Sequence, residues 1–334
     1  MLTTRRLVIS PQAGFANRLR TLCSGVVLAR LLGRRPMYYW PGGEPSLPND
    51  PAHVVDMRRC GWSVFFALPP EDERFSAATP DNVPAVDGLL SEWLPGERWY
   101  PHQCSAAKAW PSAPLLGRLG TNADLLFAKP YCDLEVLMVE TSLQLTTTVS
   151  KGADVSWWEA RMGEVYRELF LPQPRFRELL SAVPTVDVAV HVRRGDLLWY
   201  FEKARQSAQD IVDWLRPRIR AAGRDATTTM FLFSDDDAFR ERIREELSAR
   251  CNDGQQQHGL LTIVNPSEAA GENDDRKGWL DLTAHERAFA EFLCMATRVS
   301  GTVFGTPCSS FAQQAAICGS RRFVRLLAEE PPLA

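Results

Sequence analysis

The sequence predicts an α/β protein built from two Rossmann-like halves, on three observations. From residue 186 onward, short apolar runs alternate with stretches of helical periodicity. That reads as βαβαβαβα and therefore as a parallel, doubly wound sheet. The N-terminus opens in a related way, with a strand, a loop, a helix and a second strand. The length of 334 residues suits two domains of ordinary size.

Leu7–Ser10 is the first apolar run, followed by a loop at Pro11–Ala16. Asn17 begins a helical pattern with Leu19, Leu22, Val26, Val27, Ala29 and Leu31–Leu32 on its apolar side, and Gly33 ends it. Met37–Trp40 is the second strand. Over 41–130 prolines and glycines are frequent and periodic segments are short. Trp62, Trp93, Trp99, Tyr100 and Trp110 punctuate that region, as core residues or as a stacking surface for a sugar or peptide acceptor. Leu134–Val139 reads as a strand, Trp157–Phe170 as a helix stopped by Leu171–Pro174, and Phe176–Leu180 as a short helix. The domain boundary falls near 182, giving domains of 1–182 and 183–334.

In the second half, a strand at 186–192 precedes a helix over Ser207–Ala222, with Pro217 a candidate break. Strand Met230–Phe233, helix Ala238–Leu247, strand Leu261–Val264 and helix Thr283–Thr297 follow. Strand Gly301–Phe304 and helix Phe311–Cys318 complete the pattern.

Composition narrows the function. A net charge of −3, from 38 basic and 41 acidic residues, lacks the basic excess of a nucleic-acid binder. No apolar run reaches the length of a membrane span, and the first ten residues carry too short an apolar run for a signal peptide. The expected location is cytoplasmic. The eight cysteines form no C-x-x-C pair and are expected as reduced thiols, with a Cys60–Cys104 disulfide as the alternative. No metal site is expected.

The chemistry concentrates at strand ends. His191-Val-Arg193-Arg194-Gly195-Asp196 follows the apolar run Val186–Val190. Arginine presents a planar fork of donors that matches phosphate oxygens, and ligands of open α/β sheets sit beyond the carboxyl ends of strands. Three other loops share that location. Gly14-Phe15-Ala-Asn17 offers backbone donors at a helix start, with a plain N-cap as the alternative for Asn17. Ser234-Asp235-Asp236-Asp237 reads equally as an N-cap cluster. Gly305-Thr-Pro-Cys-Ser309-Ser310-Phe311 opens the last helix with two hydroxyls suited to a diphosphate.

Together, G-F-x-N-R-L, H-V-R-R-G-D, F-S-D-D and S-S-F, in this order over residues 14–318, resemble the GT-B fucosyltransferases. That superfamily includes α1,2- and α1,6-fucosyltransferases and protein O-fucosyltransferases. The resemblance implies two Rossmann-like domains facing a central cleft, and transfer of L-fucose from GDP-β-L-fucose to an acceptor hydroxyl of a glycan or protein. GDP-fucose would be the donor substrate, and no cofactor is implied. Arg193 would contact the β-phosphate and stabilise charge on the leaving GDP, and His191 would lie near the ribose or guanine. Arg194 and Asp196 would fix the loop or complete the nucleotide site. Ser309, Ser310 and Phe311 would cradle the diphosphate or sandwich the base. Asn17 and the amides around Gly14 and Phe15 would close over the phosphates. Asp235 and Asp236 would hold ribose or base edges. Glu291 falls where relatives often carry an aspartate that accepts from guanine.

Fixed cationic side chains can stabilise a nucleoside-diphosphate leaving group as a metal does. With two arginines present, a metal-independent, inverting transfer is expected. Glu202 is the candidate base for the acceptor hydroxyl, close to where α1,6 relatives place a glutamate but one position out of step; a solvated helix-start carboxylate is the other reading. Two alternatives stand: a transferase using another nucleotide sugar, and a nucleotide-binding protein without turnover. The absence of G-x-x-x-x-G-K-[ST] speaks against a kinase or sulfotransferase.

Overall fold

The computed structural model describes residues 5–11, 14–38, 40, 61–67, 76–77, 105–110, 115–119, 127, 136–141, 144–147, 154–194, 207–222, 227–249, 260–269, 278–307 and 309–327. These fall into two compact units that divide between Gln173 and Pro174.

The first unit is built on a six-stranded sheet in the order β3-β2-β1-β6-β4-β5. Strands β1 (Arg6–Pro11), β2 (Arg35–Tyr38), β3 (Ser76–Ala77) and β6 (Val136–Thr141) pair in parallel. Strands β4 (Ser105–Trp110) and β5 (Leu115–Leu119) add an antiparallel edge. This edge escapes a reading of periodicity because β4, Ser-Ala-Ala-Lys-Ala-Trp, has no β-branched residue and little strand propensity of its own. Pairing with β6 supplies what the local sequence lacks.

Helix α1 (Phe15–Leu31) begins two residues before Asn17. Its N-cap is Gly14, so the N-cap alternative for Asn17 is corrected: that residue lies within the first turn. The helix is buried on nearly all sides, and Gly33 follows it at φ +63, a conformation that a Cβ would strain. The short helix α2 (Trp62–Phe65) and helix α3 (Val155–Leu169) complete this unit. Asp154 caps α3 by accepting from the Ser156 amide at 2.9 Å.

The second unit carries a five-stranded, wholly parallel sheet in the order β11-β10-β7-β8-β9. Helix α4 (Pro174–Ser181) belongs to it: Phe176 meets Phe289 edge-on at 4.9 Å, and Arg175 pairs with Glu286 at 2.6 Å. The alternation continues through β7 (Val186–Val192), α5 (Ala208–Ala222), β8 (Thr227–Ser234), α6 (Asp237–Ala249), β9 (Leu260–Val264) and α7 (Pro266–Ala269). Then come α8 (Ala284–Thr297), β10 (Val299–Gly305), α9 (Ser310–Gly319) and β11 (Arg322–Arg325). The edge strand β11, Arg-Phe-Val-Arg, is too short and too charged to show an apolar run.

Pro217 does not break α5. Near it the Arg218 guanidinium donates to the Trp214 carbonyl at 2.9 Å. Helix α8 starts with a capping box, in which Thr283 accepts from the Glu286 amide and Glu286 accepts from Thr283. One face of the sheet packs Val188, Val190, Met230, Leu232 and Phe304 against Ile211, Leu215 and Ile243 of α5 and α6. At Gly305 a Cβ would lie 2.7 Å from that of Ala312, so glycine is what lets α9 start so close to β10.

Cys23, Cys294 and Cys318 are buried and in no disulfide, while Cys60 and Cys104 lie outside the described residues. Among the described residues, no helix is long and apolar enough to cross a membrane.

Candidate functional site

The chain leaves β7 toward β8 and β9 on one side, whereas β10 and β11 extend the sheet on the other. The strand order therefore reverses between β7 and β10, and a crevice opens beyond their carboxyl ends at such a switch point. The two motifs richest in phosphate-binding groups, at 191–194 and 305–311, flank it.

Hydrogen bonds lock these strand ends together. Thr306 Oγ1 accepts from the Arg193 amide at 2.9 Å, and the Thr306 amide donates to the His191 carbonyl at 3.2 Å. On the other side, Ser234 Oγ donates to the Val192 carbonyl at 2.7 Å, and Asp235 Oδ1 accepts from the Arg194 amide at 2.6 Å. The arginine pair is thus held from both neighbouring strands. Thr306 and Ser234 make these links; both lie inside motifs singled out in the sequence, neither with a role of its own. Their only signal is a hydroxyl next to a strand end.

The two arginines face different surroundings. The Arg194 guanidinium lies over the Phe239 ring at 3.7 Å, with Nε 3.8 Å from Asp236 Oδ2. Arg193 is partly buried and, with Thr306 and Pro307, lines a small hollow at the same end of the sheet. Asp236 is occupied as well: Oδ1 accepts from the Phe239 amide at 2.9 Å, closing the first turn of α6. Asp235 is exposed and tied to Arg194.

His191 is 6% exposed and tilts against Phe311, with ring centroids 5.1 Å apart. Burial, with the nearby Arg193 charge, pushes its pKa down to about 3. At neutral pH the imidazole is therefore uncharged, and its Nδ1 has no partner among the described residues. Phe311 in turn packs edge-on against Phe292 at 5.4 Å.

Ser309 is the N-cap of α9, yet its side chain makes no capping bond. Its Oγ is buried and has no partner among the described residues. Ser310, partly buried, is the first residue of the helix. The first-turn amides of a helix lack intrahelical acceptors and carry its positive end, so an anion is stabilised there.

In the first unit, Gly14 has open space where a Cβ would point. Asn17 Oδ1 accepts from Arg20 Nη2 at 2.7 Å. The Phe15 side chain is core, 5.0 Å from the Phe65 ring and 6.4 Å from Trp40, so only its backbone serves the helix start.

Glu291, on α8, lines a pocket beyond the ends of β8 and β9. Burial raises its pKa to about 7, against the lowering pull of Arg240 and Arg287. Asp196 and Glu202 lie outside the described residues. Among the described residues, no three His, Cys, Asp or Glu side chains come together as a metal site.

These features define an α/β protein of the GT-B type. Its likeness is to solved fucosyltransferases. One is the NodZ α1,6-fucosyltransferase soaked with GDP-fucose, a protein known from Bradyrhizobium: TM-score 0.51 and 17% identity, over 94% of this chain and 92% of that one. Another is a mutant of Arabidopsis thaliana FUT1 in complex with GDP: TM-score 0.58 and 14% identity, over 98% of this chain and 71% of that one. No family model and no curated protein matches the chain in sequence. The chain thus has the fold of these fucosyltransferases.

Proposed function

We propose that this protein is an inverting fucosyltransferase that moves L-fucose from GDP-β-L-fucose to a hydroxyl of a glycan or protein acceptor. The observation that carries the reading is the pairing at the switch point. Arg193, whose backbone amide is bonded to Thr306, follows β7, and the α9 N-terminus with its uncapped Ser309 follows β10, on the two sides of the switch point. That is a two-sided cradle for a diphosphate. The likeness in fold to NodZ and FUT1, whose structures hold GDP-fucose and GDP, agrees with it.

In the proposed reaction the acceptor oxygen attacks the anomeric carbon from the face opposite GDP. The new C–O bond forms as the bond to the β-phosphate oxygen breaks, and the electron pair leaves with GDP. Arg193 and the α9 amides stabilise that charge, so no metal ion is required. Arg194 is a positioning residue, held by Phe239 and Asp236. His191, Ser310 and Phe311 line the nucleotide, and Glu291 reads its base. Glu202 receives the acceptor proton, and Asp196 completes the loop. Gly14, Phe15 and Asn17 contribute the helix start of the first unit. The first unit, ending at Gln173, is assigned to the acceptor and the second, from Pro174, to the donor.

The test is thermal stabilisation by a nucleotide panel, followed by transfer assays. A ligand that binds the native state raises the melting temperature. GDP and GDP-fucose should stabilise the protein and UDP should not. Stabilisation by UDP alone would reassign the donor, and GDP binding without hydrolysis or transfer would make it a nucleotide-binding protein.

A further inference from the structure

Thr306 follows β10 directly and bonds to both segments that flank the switch point. Its hydroxyl oxygen accepts from the Arg193 amide at 2.9 Å, and the same hydroxyl donates to the His191 carbonyl at 3.4 Å. The Thr306 amide donates to that carbonyl at 3.2 Å, and the Thr306 carbonyl accepts from the Ser309 amide at 3.0 Å. One residue thus fastens the backbone of the arginine loop to the turn that leads into α9. The side-chain half of this link needs a hydroxyl, whose single proton serves a carbonyl while a lone pair receives an amide.

The Arg194 amide is taken as well, by Asp235 Oδ1 at 2.6 Å. With both arginine amides bonded within the protein, an anion meets this loop through a guanidinium. The Arg193 amide nitrogen is bonded to the Cα that carries its side chain, so holding the amide fixes the root of the guanidinium. Loss of the Thr306 hydroxyl would release that amide and little else. The His191 carbonyl keeps the Thr306 amide, the Val192 carbonyl keeps Ser234, and the Arg194 amide keeps Asp235. The disturbance stays at Arg193, where a small displacement of a charged contact costs much of its effect.

We propose that Thr306 is a positioning residue for the donor diphosphate: its hydroxyl sets where the Arg193 guanidinium meets the β-phosphate, and thereby the preference of the site for a nucleoside diphosphate over a monophosphate. This inference rests on the GDP reading above and adds a residue to it. Thr306 acts through Arg193.

The experiment is calorimetric titration of the full chain with GDP and GMP, for wild type, Thr306→Val, Thr306→Ala and Thr306→Ser. GMP shares the base, ribose and first phosphate of GDP and lacks the β-phosphate. Both hydroxyl-free variants should bind GDP roughly tenfold more weakly, as for a lost hydrogen bond to a charged group, and GMP within about twofold of wild type. Alanine adds no bulk at this half-buried position, which covers the case in which valine disturbs folding. Serine restores the hydroxyl, so Thr306→Ser should bind GDP within about threefold of wild type. In an Arg193→Ala background, Thr306→Ala should weaken GDP by less than about twofold, because two residues acting through one contact are not additive. Equal losses for GDP and GMP, a serine variant as weak as the alanine one, or the full loss repeated on top of Arg193→Ala overturn the role of Thr306 alone. Wild type binding GDP no more tightly than GMP overturns it too. Failure of wild type to bind GDP overturns it together with the GDP reading.

Discussion

Glu291→Gln should make the unliganded protein more stable and its nucleotide complex weaker. The carboxyl is raised from an ordinary 4.5 to about 7, chiefly by burial. Each tenfold change in proton affinity corresponds to about 1.4 kcal/mol, so ionised Glu291 costs the folded state about 3 kcal/mol. Below pH 4.5 the side chain is protonated both folded and unfolded, and the cost vanishes. Between 4.5 and 7 the unfolded chain releases its proton first, so stability falls as pH rises. Above 7 the cost is constant. Glutamine never ionises and escapes it throughout. The melting temperature of Glu291→Gln should match wild type near pH 4 and exceed it at pH 8 by up to roughly 6–12 °C, at about 2–4 °C per kcal/mol for a domain of this size. The assay is calorimetric melting across that range with and without GDP. The GDP-induced rise should shrink in the variant, because an amide cannot accept two hydrogen bonds from the base edge as a carboxylate does. A melting difference independent of pH would refute the burial argument. An undiminished GDP-induced rise would refute the role in binding.

Arg193→Ala should lower kcat/KM by at least roughly 100-fold, since a charged donor to the leaving group is lost. Its melting temperature should stay close to wild type, because the Thr306 bond is made by the Arg193 backbone amide; wild-type turnover would remove Arg193 from the mechanism. Gly14→Ala meets no atom within 4 Å and keeps a negative φ of −66°. Melting should therefore be unchanged while donor KM rises, and an unchanged KM would mean that no ligand approaches this backbone. Treatment with EDTA should leave transfer activity within about twofold, and a strict need for a divalent ion would overturn metal-free leaving-group stabilisation.

The parallel half was legible because inner strands such as Val188–Val190 and Met230–Phe233 are apolar runs between helical stretches. Burial on both faces imposes that pattern. The antiparallel edge of the first unit was not legible, because Ser105–Trp110 owes its conformation to β6 and not to its own side chains. At the site, residue types at strand ends were readable, but their partners were not. Nothing in Ser234-Asp235-Asp236 tells which carboxylate caps a helix and which receives the Arg194 amide. The bond from Arg193 to Thr306 joins residues 113 apart in sequence, and only the β7–β10 pairing brings them together.

That allocation of partners separates two kinds of selectivity. Asp236 spends its carboxylate on the α6 amide and on Arg194, and Asp235 accepts from the Arg194 backbone. These acids hold the arginine loop in shape, whereas Glu291 faces an open pocket. Base recognition should therefore fall to Glu291 and its neighbours, and phosphate recognition to Arg193 and the α9 N-terminus. None of these groups is matched to a hexose. Different GDP-sugars should accordingly bind with affinities within a few-fold of GDP itself, and differ in transfer and not in binding. Competition titrations with GDP-fucose and GDP-mannose measure this directly. A preference in binding of two orders of magnitude would require a sugar-reading residue beyond those named.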